Sequence, residues 1–141
     1  MAIIFDSNIE SFSLPNPKKV EKWICSVVQS CAKRVGEINY LFCNDEYLLQ
    51  VNQSYLDHDT YTDIITFDYV EGNLISGDIL ISVDRVGENA KLFSTDFEHE
   101  LLRVIVHGIW HLLGQADKSD KDAVEMRKKE EQALALWETI V

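Results

Sequence analysis

The chain has 141 residues, of which 46% are hydrophobic and 26% are charged, a composition typical of a folded globular protein. This length suits one hydrophobic core, so we predict a single domain over residues 1–141. The formal net charge of −11 argues against a protein that binds nucleic acid through general attraction to phosphates. It leaves room for a local basic groove, or for a bound cation that reverses the charge inside one cleft.

From the sequence we expect no signal for export or membrane insertion. Its first residues lack the basic region and apolar core of a secretory signal, and no apolar run reaches the roughly 18 to 20 residues of a membrane span. Cys25, Cys31 and Cys43 form no CxxC pair and are typical of small core residues in a reducing compartment. We therefore expect a cytoplasmic protein without a membrane partner.

The first third of the chain predicts a strand, a helix and a second strand. Ile3–Ser7 has the composition of a strand, and Pro17 suits the first turn of a helix. Apolar residues at helical spacing predict that this helix continues until Gly36 ends it. Alternation then predicts a strand over Glu37–Cys43, and Asn44 can cap a short helix that follows.

The middle of the chain predicts a hairpin followed by a helix. Ile64–Val70 and Asp78–Val83 are rich in β-branched residues, and the turn signal Glu71–Asn73 lies between them. We expect these two strands to be neighbours. After Asp84 the apolar spacing becomes helical.

Two further helices are predicted towards the C-terminus. Thr95–Glu98 has the pattern of a capping box, and the helix that it opens continues to about Leu113. Apolar residues cover nearly its whole circumference, which predicts burial on most sides, and Gly114 can end it in the left-handed conformation. The last helix covers about residues 121–139, and the charged Glu130 falls on its apolar stripe.

The stretch "HGIWHLLGQAD" predicts a metal site. His107 and His111 are four residues apart, so on a helix their imidazoles share one face and suit a zinc ion. Gly114 turns the chain, and the carboxylate of Asp117 can return as a third ligand, leaving a fourth position for water. The alternative is that both histidines are core residues bonded to backbone groups and that Asp117 is an ordinary turn residue.

The same spacing occurs in the HExxH helix of zinc proteases, where the glutamate is the general base. Gly108 takes that position here, so peptide hydrolysis by that route is disfavoured. The glycine permits close approach either of another element to the helix or of a substrate to the ion.

Four motifs together resemble the YbeY endoribonuclease family of rRNA maturation factors: "TDIITFDY", "SGDILIS", "HGIWHLLG" and "EMRKKEE". The resemblance covers roughly Leu48 to Ala133. It implies an α+β fold, with a small mixed sheet of about four strands packed against helices and a buried central helix that carries the H-x-x-x-H ligands. It also implies a single-strand-specific, metal-dependent endoribonuclease that acts in 16S rRNA 3′-end maturation and ribosome quality control.

This sequence departs from the family pattern at several positions. The family's third histidine ligand is Asp117 here, preceded by Gln115-Ala116 instead of Tyr-Asp. An aspartate is a sound zinc ligand, but it adds negative charge and shifts the preference towards other, harder divalent metals. The family's functional arginine falls at Leu56, so its role cannot be carried over. His58 is the nearest residue that can contact a phosphate, and otherwise it is an exposed loop histidine.

Four more residues are candidates for roles at the site. Asp63 and Asp78 are either general bases or partners in strand-end hydrogen bonds. Arg103, one turn before the first histidine, lies either beside the metal cleft or in a pair with a carboxylate. Glu130 either supports a ligand histidine from behind or pairs with Arg103 or Arg127.

The predicted partners are single-stranded RNA, in particular rRNA, and proteins of the small ribosomal subunit; DNA is not expected. Arg85 and Lys91 can line an RNA groove if their segment folds beside the histidine helix. Two other functions stay open. One is a metal-dependent hydrolase acting on a substrate other than RNA. The other is a non-catalytic, zinc-containing ribosome-binding factor, which Leu56 in the arginine position favours.

Overall fold

The structure, a computed structural model, describes residues 2–56 and 61–141. Four strands form a mixed sheet in the order β1-β2-β4-β3: β1 (Ala2–Ser7), β2 (Arg34–Cys43), β3 (Ile64–Asp68) and β4 (Leu74–Ser82). β1, β2 and β4 are parallel, whereas β3 is an edge strand that pairs antiparallel with β4. The predicted α+β fold with a small mixed sheet is therefore confirmed.

The described residues also form five helices: α1 (Pro17–Ser30), α2 (Asp45–Leu56), α3 (Val83–Leu92), α4 (Phe97–Leu112) and α5 (Asp120–Trp137). α4 lies at the centre, in contact with α3, α5, β3 and β4. Ten of its 16 residues are buried, which confirms the predicted central helix. No helix in residues 2–56 and 61–141 is long and apolar enough to cross a bilayer.

The two faces of the sheet are covered differently. In β4 the residues on one face, including Ile79 and Ile81, are fully buried in the main core with α4. The alternate residues face the other way, where Leu80 packs into a small second cluster around Leu48 of α2. The hydroxyl of Tyr40 donates to the Ile105 carbonyl oxygen at 2.9 Å and ties β2 to α4.

Gly108 sets how closely α4 approaches the sheet. A Cβ atom at this position would lie 3.0–3.1 Å from methyl carbons of Ile79 and Ile64, tighter than ordinary contact. Of the two explanations for this glycine, close approach of another element is therefore the one that the packing supports. The approach places the histidine face of α4 beside β3.

The prediction that Gly36 ends the first helix is wrong. α1 ends at Ser30, and the backbone reverses through Ala32, which has φ 57°. Gly36 instead lies within β2, where a Cβ atom would collide with the Ser76 side chain of β4. The helical spacing of apolar residues extends beyond the end of α1 because Val35, a buried residue of β2, falls at the next position of that spacing.

The predicted capping box at Thr95 is also wrong by one residue. Asp96 is the N-cap of α4, and its side chain accepts the His99 N–H at 2.7 Å. The Thr95 N–H is already bonded to the Ala90 carbonyl oxygen at the end of α3. Gly114 has φ 99°, as predicted for the end of this helix.

The remaining boundaries differ from prediction by a few residues. The hairpin is confirmed, but β3 ends at Asp68 and β4 begins at Leu74, on either side of a turn in which Gly72 has φ 58°. Asn44 caps α2 as predicted, because its Oδ1 accepts the Tyr47 N–H at 2.8 Å. Cys25, Cys31 and Cys43 are all free.

Candidate functional site

A cavity of about 620 Å³ opens between α4, the start of β3 and the segment after α4. This volume is within the roughly 300–1,000 Å³ typical of small-molecule sites. Its walls bring together five residues singled out from the sequence: Asp63, Arg103, His107, His111 and Asp117. The helix, the glycine turn and the hairpin therefore meet at one place.

His107 lies between two carboxylates. Its Nδ1 is 2.6 Å from Oε2 of Glu130 in α5, and its Nε2 is 3.2 Å from Oδ2 of Asp117. A carboxylate on Nδ1 keeps the proton there and leaves the Nε2 lone pair directed at the opposite side, in this case into the cavity. Glu130 therefore orients the imidazole, and the predicted role behind a ligand histidine agrees with this contact.

Glu130 is in turn held by Arg103. The guanidinium donates to Glu130 Oε1 at 3.0 Å, and to both oxygens of Glu100 at 2.9 and 2.5 Å. Glu100 and Glu130 are only 1% and 2% exposed. Both sequence alternatives for Arg103 are thus realised together, since it lines the cavity and pairs with carboxylates.

Burial and charge pull the pKa values of this network in opposite directions. Burial alone would lower the pKa of His107 and raise that of Glu130, but their mutual bond outweighs it, so the pKa of His107 is raised and that of Glu130 lowered. Burial also opposes the charge on Arg103, yet Glu100 and Glu130 raise its pKa further. For Asp63, burial prevails over the attraction of Arg103 and raises the pKa.

The network carries an excess of negative charge. Three carboxylates, Asp63, Glu100 and Glu130, surround the guanidinium of Arg103, and a fourth, Asp117, lies against His107. Two of these carboxylates are almost fully buried, where an uncompensated charge is costly. A cation bound in the cavity, beside His107, would balance this negative charge.

The donor chemistry at that point fits a metal ion. Two ligands of a tetrahedral zinc at about 2.0–2.1 Å are about 3.3 Å apart, close to the observed 3.2 Å between His107 Nε2 and Asp117 Oδ2. His111 lines the same cavity with an exposed side chain. Within residues 2–56 and 61–141, no three His, Cys, Asp or Glu side chains are already grouped as a metal site, so His111 would have to turn towards His107 and Asp117 to complete one.

The sequence model of the family described as Endoribonuclease YbeY matches residues 5–138. The chain belongs to the YbeY family. Among characterised relatives, it is 55% identical to Endoribonuclease YbeY of Flavobacterium johnsoniae over 89% of this chain and 91% of that protein. It is 54% identical to Endoribonuclease YbeY of Porphyromonas gingivalis, over 93% of this chain and 89% of the other.

A solved structure supports the same relationship at the level of the fold. The solution structure of TM1509 from Thermotoga maritima superposes with a TM-score of 0.65 and 26% identity. The alignment covers 98% of this chain and 93% of that one. The fold is thus shared over nearly the whole chain with a protein of distant sequence.

The position at which the family resemblance implies a functional arginine lies on the cavity wall. Leu56, at the end of α2, lines the cavity with 42% of its surface exposed. His58, the suggested substitute, lies outside the described residues. Lys118, next to Asp117, lines the cavity and is a cation that the sequence reasoning did not single out.

The remaining candidates from the sequence do not line the cavity. The Oδ1 of Asp78 accepts from the Asn39 side chain at 3.1 Å, on the sheet face that points away from α4. Lys91 is exposed, with Glu88 as a distant partner at 3.9 Å. Arg85 pairs with Asp45 at 2.9 Å, close to the cavity rim.

Glu100 was missed by the sequence reasoning, although a signal for it was present. It is a charged residue on an almost wholly apolar helix, three residues before Arg103. Residues at this spacing share a helix face, so a buried pair was the natural interpretation. Tyr61, which also lines the cavity, was missed because its contacts are with Glu46 and Arg85, which are distant in the sequence.

Proposed function

We propose that the protein is a metal-dependent endoribonuclease that cleaves single-stranded RNA, with zinc held by His107, His111 and Asp117. The observation that carries this proposal is the placement of His107, whose Nδ1 is bonded to Glu130 while its Nε2 faces Asp117 across the cavity. The excess of carboxylates around Arg103 supports a bound cation, and the family supports RNA as the substrate. Another divalent metal is an alternative ion, since an aspartate is a harder ligand than histidine.

When bound, the metal would supply Lewis acidity towards a phosphate oxygen or a water molecule. Glu130 keeps the proton of His107 on Nδ1, so that Nε2 stays available as a donor to the ion. Among the described residues, Asp63 is the carboxyl group on the cavity wall that is not a proposed ligand, and its raised pKa suits proton transfer. Lys118 supplies a positive charge for the phosphate, because the guanidinium of Arg103 is engaged by Glu100 and Glu130.

The test is cleavage of single-stranded and structured RNA by zinc-loaded protein, comparing wild type with His111→Ala. His99→Ala is the matched control, because His99 is an exposed histidine of the same helix that does not line the cavity. We expect His111→Ala to lose cleavage while it retains its fold and His99→Ala to cleave as wild type does. Equal cleavage by all three proteins would identify a contaminating nuclease.

Two other outcomes would support the competing functions. Cleavage of esters or peptides but not of RNA would indicate a hydrolase with another substrate. Zinc binding without any cleavage would indicate a non-catalytic ribosome-binding factor, the function that Leu56 favours.

We further propose that the natural substrate is the 3′ end of 16S rRNA within the small ribosomal subunit in the cytoplasm. With a net charge of −11, tight binding to free RNA is disfavoured, so docking on an RNA–protein surface is the better route to specificity. The test compares cleavage of immature small subunits with cleavage of the same rRNA stripped of protein. Preference for the subunit supports the proposal, and equal rates on both would contradict it.

A further inference from the structure

We propose that Tyr61 is a stacking platform for one unpaired RNA base at the mouth of the cavity. This inference rests on the proposed endoribonuclease function and names a residue that determines its substrate specificity. Tyr61 lines the cavity that contains His107, His111 and Asp117, yet 52% of its surface is exposed. An exposed aromatic ring beside a nuclease cleft is the type of side chain on which single-stranded nucleic acids stack.

The ring of Tyr61 is fixed in place by two helices. Its hydroxyl donates to Oε1 of Glu46 in α2 at 2.9 Å. The Arg85 guanidinium of α3 lies over the ring, 5.4 Å from its centroid. A ring held at its polar end and covered by a cation is ordered before a substrate arrives, so binding loses little conformational entropy.

Arg85 is itself anchored, which makes the platform rigid. Its Nη2 is 2.9 Å from Oδ2 of Asp45, and the other oxygen of Asp45 accepts the Ser82 hydroxyl at 2.7 Å. The guanidinium is thus occupied by a carboxylate and by the Tyr61 ring. The structure therefore assigns Arg85 a role behind the ring rather than direct contact with a phosphate.

The charges around Tyr61 favour a base over a phosphate. Asp45 and Glu46 lie on one side and Asp63 is two residues further along the chain, so a phosphate would meet carboxylates there. A nucleobase is neutral and has an apolar face. Leu56, which lines the same cavity, adds apolar surface at the position where the YbeY family has an arginine.

The consequence is a preference for unpaired nucleotides. A base can lie on the Tyr61 ring only if it is free of a helical stack, because in a duplex both of its faces are covered. Stacking on an aromatic side chain also tolerates any base, so Tyr61 selects for single strands rather than for sequence. This is a recognition role and leaves the reacting atoms to the metal centre.

The first experiment measures binding without cleavage. Short unstructured RNA is titrated with metal-free protein, and the dissociation constant is measured for wild type, Tyr61→Leu and Tyr61→Phe. Phenylalanine keeps the ring and removes the bond to Glu46. Tyr69→Leu is the matched control, since Tyr69 is exposed but does not line the cavity. We expect Tyr61→Leu to weaken binding about tenfold, and Tyr61→Phe and Tyr69→Leu to bind nearly as wild type does.

The second experiment changes the RNA instead of the protein. One abasic residue is placed at each position of the oligonucleotide in turn. At one position the wild type should lose about tenfold in affinity, whereas Tyr61→Leu should lose nothing further there. Wild-type affinity that is insensitive to every abasic position would overturn the inference, even if a variant failed to fold. Tyr61→Phe as weak as Tyr61→Leu would also overturn it, because the bond to Glu46 would then be what matters.

Cleavage kinetics with zinc-loaded protein separate this inference from the proposed function. We expect Tyr61→Leu to raise KM with kcat unchanged, because the base contact is made equally before and during cleavage. If Tyr61→Leu cleaved RNA with the same KM and kcat as the wild type, the inference about Tyr61 would be overturned and the proposed nuclease function would stand. If RNA binding depended on Tyr61 but the wild type did not cleave RNA, the inference would be supported and the proposed nuclease function would be overturned. A wild type that neither binds nor cleaves RNA would overturn both.

Discussion

The imidazole of His107 in α4 and the carboxylate of Glu130 in α5 are 2.6 Å apart, although 23 residues separate them in the chain. This contact fixes the orientation of the first histidine of the HxxxH pattern, so that its Nε2 atom faces the cavity. It also explains why a glutamate that is 2% exposed lies on the apolar stripe of α5. Three of the predictions that follow concern the network behind this pair and the packing that places it.

Replacing Glu130 by glutamine should weaken zinc binding. Glutamine can still accept a bond from Nδ1, but it lacks the negative charge that strengthens the imidazole as a ligand, so we expect affinity to fall about 10- to 100-fold. The measurement is competition with a chromophoric chelator. Glu131→Gln is the control, because Glu131 is exposed. Equal affinities for the two variants would show that Glu130 has no influence on the metal.

Replacing Arg103 by methionine should destabilise the fold. The change leaves the carboxylates of Glu100 and Glu130 buried without their guanidinium, which costs about 3–5 kcal/mol in the free energy of unfolding. Arg127→Met is the matched control, since Arg127 is 3.8 Å from Glu130 and its side chain is 52% exposed. We expect that control to change stability by less than about 1 kcal/mol. Urea denaturation measures both, and similar losses for the two variants would contradict the buried network.

Alanine at Gly108 should destabilise the protein, whereas alanine at Gly87 should stabilise it. Both glycines are helical, and alanine gains roughly 0.5–1 kcal/mol in such a position. At Gly87 the nearest atoms to a new Cβ are 4.0 Å away, so the gain is realised. At Gly108 the methyl groups of Ile79 and Ile64 must move, which costs about 1–3 kcal/mol. Thermal unfolding should show opposite shifts, and a rise for Gly108→Ala would refute the close packing of α4.

Cys43 should resist alkylation in the native protein. It is fully buried, its thiol donates to the Ile81 carbonyl oxygen, and burial together with Asp84 and Asp45 raises its pKa to about 12. At pH 8 iodoacetamide should therefore label Cys31 and Cys25 but reach Cys43 only after denaturation. Mass spectrometry of the digested protein locates the label. Native labelling of Cys43 at the rate of Cys31 would contradict its burial.

The raised pKa of Cys43 also has a consequence for stability at alkaline pH. Below the ordinary thiol pKa of 9.0 the thiol is neutral in both states, and its contribution to folding is complete. As the pH rises from 9 towards about 12, the unfolded chain loses the proton first, so folding becomes less favourable. Cys43→Ser removes the titrating thiol, so the free energy of unfolding should fall less between pH 7 and pH 10 than in the wild type, which urea denaturation at both pH values can measure; an equal fall in both proteins would contradict the role of Cys43.

Features that depend on neighbouring residues were predictable from the sequence. The HxxxH spacing, the left-handed Gly114, the Asn44 cap and the hairpin turn are local, because backbone geometry alone sets which residues face each other within a turn. Errors occurred where a local pattern was compatible with two outcomes. Gly36 would end a helix as readily as it fits a crowded strand, and the pairing of β2 with β4, which places Gly36 against Ser76, is not visible in the local sequence.

The sequence by itself determined the kind of site: two imidazoles on one helix face and an acid beyond a glycine turn. Only the tertiary structure decided which partners complete it. Packing of α5 on α4 brings Glu130 to His107, and Glu46 of α2 and Arg85 of α3 hold Tyr61 at the cavity rim. Such contacts join residues far apart in the chain, and the burial of many apolar side chains at once selects them, so no short stretch of sequence encodes them.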